Sequence, residues 1–229
     1  MIMMNKKNNV KRIFDSIAWR YDFLNHLLSF GLDFYWRKKA LKLSSISKEN
    51  KLLDVACGTG DFAIAAKKMG VKNIVGADYS KNMLKLFKEK SDWIDGKTVQ
   101  MVAENIPFKQ NSFNRITVAF GVRNFYDLSE GIKSFNRILE HGGKAVILEF
   151  RMPENFIVKN LYKFYFKKVL PFIGGIISGD KEAYKYLPSS VEEFDEKVIL
   201  KKIFYEAGFA NVESYNLTFG TVQVVIGTK

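Results

Sequence analysis

The stretch Leu52-Leu53-Asp54-Val55-Ala56-Cys57-Gly58-Thr59-Gly60-Asp61 decides how the rest of this chain is read. It is a short apolar strand that stops at an acid and passes into a glycine turn. A helix then opens at Asp61 and runs on through Phe62, Ala63, Ile64, Ala65 and Ala66. Backbone approaches a ligand closely only where side chains are missing, and Gly58 and Gly60 remove two of them. A second strand, Asn73-Ile74-Val75-Gly76-Ala77, ends at Asp78. That acid stands roughly 20 residues beyond the turn, where in a doubly wound sheet a carboxylate meets the ribose hydroxyls of an adenosine ligand. Turn and acid together point to a nucleoside-bearing cofactor.

Working outward, the first 48 residues read as a helical region, with segments at 10–19, 24–28 and 34–43. Strands and helices then alternate. The pattern predicts strands at 51–56, 73–78, 98–103, 115–120 and 143–150, and helices at 61–69, 81–90 and 128–139. Such alternation means a parallel sheet with helices on both faces. Punctuation agrees, since Ser80 can cap the second of these helices and Gly142-Gly143 follow the third. The last third differs. Residues 155–170 form an aromatic and basic stretch, with Lys159, Lys163 and Lys167 four apart on one helical face. An apolar, glycine-containing loop is expected at 171–179 and one helix at 191–207, stopping at Gly208. Two closing strands, 211–217 and 221–227, are joined by Thr218-Phe219-Gly220 as a hairpin, a specific topological signal at the end of a parallel sheet.

At 229 residues the chain fits a single domain able to bury its own core. Apolar content of 47% and charged content of 26% are ordinary for a soluble globular protein. The lone cysteine, Cys57, cannot form an internal disulfide, so a reducing cytoplasm is the natural compartment. Its place in the glycine turn suits a small residue tolerated near a ligand better than a nucleophile, because no histidine lies nearby to activate it. No segment approaches the roughly 20 apolar residues of a membrane span, and the polar, basic start is not a secretory signal. The net charge of +12 admits nucleic acid or an anionic membrane as partner, or simply a lysine-rich background.

The identity of the cofactor turns on Asp54. A dinucleotide fingerprint wants G-x-G-x-x-G, and here Ala63 takes the place of the third glycine. Asp54, four residues before Gly58, would repel a pyrophosphate but attract a cationic amino-acid moiety. S-adenosylmethionine carries a sulfonium and an ammonium and no phosphate, so it suits this turn better than NAD. A purely structural glycine turn is the competing reading.

At these residues the chain resembles a family. Residues 52–61 look like the first motif of the class I methyltransferases, and Ala77-Asp78 with Ser80 and Met83 resembles their second. Phe14-Asp15-Ser16-Ile17-Ala18, Tyr21-Asp22-Phe23-Leu24-Asn25, Leu28-Ser29-Phe30-Gly31 and Trp36-Arg37 resemble the first signature of the ubiquinone/menaquinone biosynthesis C-methyltransferases. Phe120-Gly121-Val122-Arg123-Asn124, Arg137-Ile138-Leu139, Gly142-Gly143 and Leu148-Glu149-Phe150 resemble the second. Asp180, Tyr184-Lys185-Tyr186-Leu187, Ala207-Gly208-Phe209 and Tyr215-Asn216-Leu217-Thr218 carry the likeness to the C-terminus. Two places depart from it: Glu140-His141 stands where the family has Lys-Pro, and Asp33-Phe34 where it often has His-Arg.

The resemblance implies a Rossmann-like fold, a seven-stranded, mostly parallel sheet with an antiparallel C-terminal hairpin strand. An N-terminal helical lid at 1–48 and a substrate- or membrane-facing insertion at 152–190 would complete it. It implies that Gly58, Thr59 and Gly60 wrap the methionine end of the cofactor and that Asp54 answers its ammonium, directly or through water. Asp78 would accept the ribose hydroxyls, with Tyr79 beside it. Val102, Ala103 and Glu104 would border the adenine, Ala119 would sit at the end of strand four, and Tyr21 would shape the pocket. The reaction implied is methylation of a polyprenylated quinol ring carbon, demethylmenaquinol favoured over the benzoquinol acceptor, with S-adenosylhomocysteine as product. No covalent protein nucleophile is needed, and alignment supplies much of the rate. Arg123 is the candidate for stabilising a developing quinolate oxygen, its alternative being a salt bridge to Asp127 or Glu130. Asn124 either holds a ring oxygen or caps the next helix. Tyr21, Asp22 and His26 are the acid–base groups of the lid signature, and His26 alone among them has an unperturbed pKa near neutrality.

A lipid-tailed substrate gives the basic aromatic stretch at 156–172 a role on an anionic membrane, against the reading of solvated lysines on an amphipathic helix. Family analogy adds a homodimer. A nucleic-acid methyltransferase is disfavoured, because Ala119-Phe120-Gly121-Val122 lacks the Asn/Asp-Pro-Pro-aromatic motif and no Pro-Cys pair is present. Asp54 and the terminal hairpin disfavour an NAD(P) oxidoreductase. No metal site is expected.

Overall fold

A computed structural model describes residues 21–172 and 181–229. The expected helix at 10–19 and Asp180 lie outside the described residues, as do the side chains of Tyr21, Tyr184, Lys185 and Tyr186. Helices α1 (Tyr21–Leu28) and α2 (Leu32–Leu43) precede strand β1 (Lys51–Val55). There follow α3 (Asp61–Lys68), β2 (Asn73–Asp78), α4 (Lys81–Lys90), β3 (Thr98–Gln100), β4 (Phe113–Ala119), α5 (Leu128–Ile138) and β5 (Leu139–Phe150). Helices α6 (Phe156–Phe164), α7 (Lys181–Lys197) and α8 (Leu200–Glu206) lead to β6 (Asn211–Leu217) and β7 (Val222–Thr228).

The strands form a seven-stranded sheet in the order β3-β2-β1-β4-β5-β7-β6. Strands β1 to β5 run parallel, and β7 enters antiparallel between β5 and β6, so the closing hairpin joins the sheet as its sequence predicts. One face buries Ile116, Ile147, Phe135, Ile138 and Phe204 under α5 and α8. The other buries Leu52, Phe62, Ile74, Leu148 and Val224 under α3 and α2. Trp36 of α2 donates its indole N–H to the Thr218 hydroxyl at 2.7 Å, tying the N-terminal helices to the hairpin turn.

Several boundaries differ from expectation for local reasons. Strand β3 stops at Gln100, three residues short of 103, because the chain turns there and the Met101 N–H donates to the Asp78 carbonyl. Strand β5 begins at Leu139 rather than 143. It pairs Phe113 with Leu139, shifts register before Lys144, and absorbs the two glycines as an irregularity. The single helix expected at 191–207 is two, α7 and α8, broken at Val198-Ile199. The β-branched pair is a weak helix former, and the bend lets Phe194, Leu200 and Phe204 all reach the core. Helix α6 is capped by Asn155, which accepts from the N–H groups of Ile157 and Val158. It widens into a π turn at Tyr165–Val169, and the helix continues over Pro171 and Phe172, where the sequence suggests a loop.

Candidate functional site

Strands β1 and β4 are neighbours, but the chain leaves them in opposite directions, to β2 and to β5. Their C-terminal ends therefore open a crevice at the point where the strand order reverses, the usual ligand position in such sheets. The glycine turn fills one side of it. Gly60 has φ +87, and a Cβ there would stand 2.2 Å from the Phe87 ring. Gly58 has φ +54, and no atom lies within 4 Å of a Cβ built on it. Gly60 is thus required by packing, whereas Gly58 presents bare backbone to open space. Thr59 is buried, and its hydroxyl donates a short hydrogen bond to the Asp22 carboxylate of α1.

Two acids fix the turn. Asp78 accepts from the Gly58 N–H and from the Ser80 N–H, each at 2.8 Å. Ser80 caps α4 by accepting from the Met83 N–H. Asp54 lies beneath the turn at 1% exposure. It accepts from the Thr117 hydroxyl at 2.7 Å and from the Ala63 N–H at 3.1 Å. Burial raises its carboxyl from 3.8 to about 7, against the lowering effect of those two hydrogen bonds. Asp54 is thus a buried acid held beneath the turn by Thr117 and Ala63. Burial also pushes the Cys57 thiol up, in keeping with an inert small residue in the turn.

Beyond β3, Val102 and Ala103 line the turn after Gln100. Glu104 is engaged elsewhere, as its carboxylate accepts from the N–H groups of Tyr126 at 2.6 Å and Asp127 at 3.2 Å. It thereby ties the turn after β3 to the loop after β4. The Tyr79 ring is partly exposed, and its carbonyl accepts from the Gln100 amide. Ala119 closes β4, half-buried.

Past β4, a 3₁₀ turn at Val122–Asn124 carries Arg123 and Asn124. The alternative reading of Arg123, a salt bridge to Asp127 or Glu130, does not hold. Asp127 instead caps α5 by accepting from the Glu130 N–H, and Glu130 pairs with Lys133. Since Asp127 is that cap, Asn124 is not. Arg123 pairs with Glu149, the penultimate residue of β5, through a short Nη1–Oε1 contact. Its Nε donates to the Ser190 hydroxyl of α7 at 3.3 Å, and its guanidinium lies 5.7 Å from the Phe150 ring centroid. Sequence reasoning gave Glu149 no role. The available signal was an acid near the end of an otherwise apolar strand, Val146-Ile147-Leu148-Glu149-Phe150.

A second network, also missed, docks α1 and α2 onto the glycine turn. Lys90 of α4 reaches Asp22 at 2.7 Å and Asp61 at 2.5 Å. Arg37 reaches Asp33 at 2.5 Å and Asp61 at 3.6 Å. His26 joins it, with Nδ1 2.7 Å from Asp33 and Nε2 3.8 Å from Asp61. That position holds the His26 ring between the carboxylates of Asp33 and Asp61. His26, Asp33 and Asp61 could gather round a cation, but Arg37 and Lys90 already supply the positive charge there.

Residues 2–229 match the profile of the ubiE/COQ5 methyltransferase family. The chain belongs to that family. It is 46% identical to the ubiquinone/menaquinone biosynthesis C-methyltransferase UbiE of Geotalea uraniireducens, over 99% of each protein. It is 42% identical to a demethylmenaquinone methyltransferase of Chlorobaculum parvum, over all of this chain and 96% of that one. In three dimensions it is similar to an S-adenosylmethionine-dependent methyltransferase of Thermotoga maritima, with TM-score 0.65 and 19% identity over 95% and 99% of the two chains. The protein is an S-adenosylmethionine-dependent methyltransferase with the class I fold.

The crevice fits the cofactor of this family. Bare backbone at Gly58 leaves room for a ligand beside Asp78. Among the described residues no cation lies within ion-pair distance of Asp54, so the ligand's ammonium can supply the compensating charge.

Proposed function

We propose that this methyltransferase acts on a ring carbon of a polyprenylated quinol, demethylmenaquinol in preference to the benzoquinol acceptor, and releases S-adenosylhomocysteine. The observation that carries the reading is the position of Arg123, on the β4–β5 side of the same crevice whose β1–β2 side holds Gly58 and Asp78. The names of the relatives, quinone-ring methyltransferases over their full length, support it. Bound cofactor supplies an activated methyl group on a sulfonium centre. The chain's own work is then to bind, align and manage charge.

In this reading Gly58, Thr59 and Gly60 hold the methionine end, Asp54 answers the ammonium through water, and Asp78 with Tyr79 takes the ribose edge. Val102, Ala103 and Ala119 border the rest of the pocket, and Tyr21 shapes it. Arg123 faces the growing negative charge on a quinol oxygen, and Asn124 orients the ring. A donor fixed before the reaction stabilises charge without the cost of reorganisation. Burial of Arg123 in its pair with Glu149 gives it that fixity.

The acceptor's tail lives in a bilayer, and α6 offers a way to meet it. Phe156, Ile157, Leu161 and Phe164 are exposed on that helix, with Phe172 beyond it. Lys163 and Lys167 both reach Glu192, at 3.4 and 2.9 Å, so they serve the fold as well as the surface. No helix among the described residues is long and apolar enough to cross a membrane. A cytoplasmic enzyme, peripheral to an anionic membrane and forming a homodimer, fits the reading. The test is transfer of methyl label to demethylated naphthoquinol and benzoquinol side by side. Labelling of tRNA with neither quinol labelled would overturn it.

A further inference from the structure

The pair Arg123–Glu149 carries an inference about the proton that methylation must release. Glu149 has 0% exposure. Its Oε1 is paired with Arg123 and also accepts from the Phe150 N–H at 2.9 Å. Its Oε2 is buried and has no hydrogen-bond partner among the described residues, and neither does the buried hydroxyl of Tyr162 on α6. Buried polar atoms are normally satisfied, and each exception in a folded protein asks for an explanation. Here two exceptions flank one arginine at the mouth of the crevice.

Their position is set by the sheet. Ala119, the last residue of β4, is in register with Leu148, so Glu149 stands one step beyond the end of β4. With the cofactor turn on the β1–β2 side, an acceptor ring must enter over the ends of β4 and β5. The cover there consists of Tyr162 and Phe166, whose rings lie 4.1 Å apart, with Phe166 against Phe150. Phe166 belongs to the π turn at Tyr165–Val169, an irregularity that frequently marks functional sites.

We propose that Glu149 is the proton acceptor of the methyl transfer, with Arg123 as its counter-ion and Tyr162 as the hydroxyl that shares the site with the quinol. The proposal deepens the quinol reading and rests on it. In the step, a ring carbon bonds to the methyl carbon while the sulfur–methyl bond breaks, its electron pair staying on sulfur. The proton on that ring carbon passes to Glu149 Oε2, and the C–H electrons restore the aromatic ring. Arg123 cannot take this proton at any working pH. A carboxylate that burial pushes up, against the pull of Arg123, can. Among the described residues, the other ionisable groups near the site include Tyr162, whose hydroxyl burial also pushes up, and Asp195 of α7, raised by burial and paired with Arg151.

The test uses the full chain, S-adenosylmethionine and demethylmenaquinol carrying hydrogen or deuterium at the reacting ring carbon. Glu149→Gln is expected to keep S-adenosylhomocysteine affinity within about threefold by calorimetry while kcat falls about 100-fold or more, the scale of a lost general base. A primary deuterium isotope effect, small in wild type, is expected to appear in the variant. Glu149→Asp, which restores a carboxylate, is expected to recover part of kcat. Wild type carries an independent reading: its kcat is expected to fall on the acid side with a midpoint above the ordinary carboxylate range, the isotope effect rising as it falls. Near-normal turnover of Glu149→Gln, or a flat wild-type profile should that variant not fold, would overturn the proposal. Wild type that methylates no quinol at all would overturn the underlying reading, and this one with it.

Discussion

Asp54 of β1 accepts a hydrogen bond from the Thr117 hydroxyl of β4 at 2.7 Å, which ties together the two strands whose ends open the crevice. A buried acid raised from 3.8 to about 7 is a burden on the ligand-free fold. Because the folded value is the higher one, its contribution to stability is fully present below pH 3.8 and is lost as pH climbs through about 7. A rise of that size corresponds to roughly 4 kcal/mol over that interval. Asp54→Asn should therefore flatten the loss of Tm between pH 5 and 8, and at pH 8 the variant should melt above wild type. The same substitution should weaken S-adenosylhomocysteine about tenfold or more. In wild type, binding near pH 6 should release protons, read by calorimetry in buffers of different ionisation enthalpy. Equal proton release in Asp54→Asn would detach the effect from this carboxyl.

The two glycines of the turn should separate stability from binding. Gly60→Ala combines a left-handed backbone with a Cβ set 2.2 Å from the buried Phe87 ring. It should cost about 3 kcal/mol in urea unfolding, the sum of backbone strain and overpacking. Gly58→Ala meets no atom within 4 Å and should cost only about 1 kcal/mol of strain. Its methyl group points where the ligand approaches, so S-adenosylhomocysteine affinity should fall by more than the stability does. The reverse ordering of the two variants in urea would contradict the packing.

Arg123→Ala should not behave as a simple catalytic loss. It strands the carboxylate of Glu149, which has 0% exposure. Breaking a buried pair from one side costs about 3–5 kcal/mol, most of it the uncompensated charge. Adding Glu149→Gln to Arg123→Ala should recover much of that stability while leaving turnover low. A double-mutant cycle in urea measures the coupling, and additive single losses would mean that the pair is energetically idle.

The parts of this site legible in the sequence were those whose signal is local. The strand–turn–helix around Gly58, the acid at Asp78 and the cap at Ser80 arise from residues adjacent in the chain, and each stands where the pattern put it. The helix break at Val198-Ile199 was hidden because a β-branched pair is only a weak local signal, and the need to bury Phe194, Leu200 and Phe204 together completes it. The carboxylate of Glu104 is held by N–H groups more than twenty residues away, a pairing that no local pattern announces. The nearby acids at 127 and 130 were the only partners the sequence offered Arg123 as an alternative, yet its partner stands on β5. A buried guanidinium is neutralised by the groups that the sheet brings beside it, not by its neighbours along the chain. Long-range pairing of charges has no periodicity to read.

The network joining α1 to the glycine turn gives the last prediction. Asp22 receives the Thr59 hydroxyl and Lys90, and Lys90 also holds Asp61, so one lysine links the N-terminal helix, the turn and the start of α3. Lys90 and Asp22 are each about a third exposed, so their pairing adds little to global stability, on the order of 0.5 kcal/mol. Its consequence is local. Asp22→Ala should cost about 1 kcal/mol in urea unfolding, mostly from the stranded Thr59 hydroxyl, and loosen α1 from the turn, giving faster amide exchange in Tyr21–Leu28. If α1 covers the bound cofactor, S-adenosylhomocysteine should dissociate faster from the variant with little change in its association rate. Bound ligand should restore exchange protection in wild type and only partly in Asp22→Ala. Unchanged protection of α1 in the variant would mean that the apolar contacts of Leu24 and the lattice of Asp33, Arg37 and His26 hold the helix without Asp22.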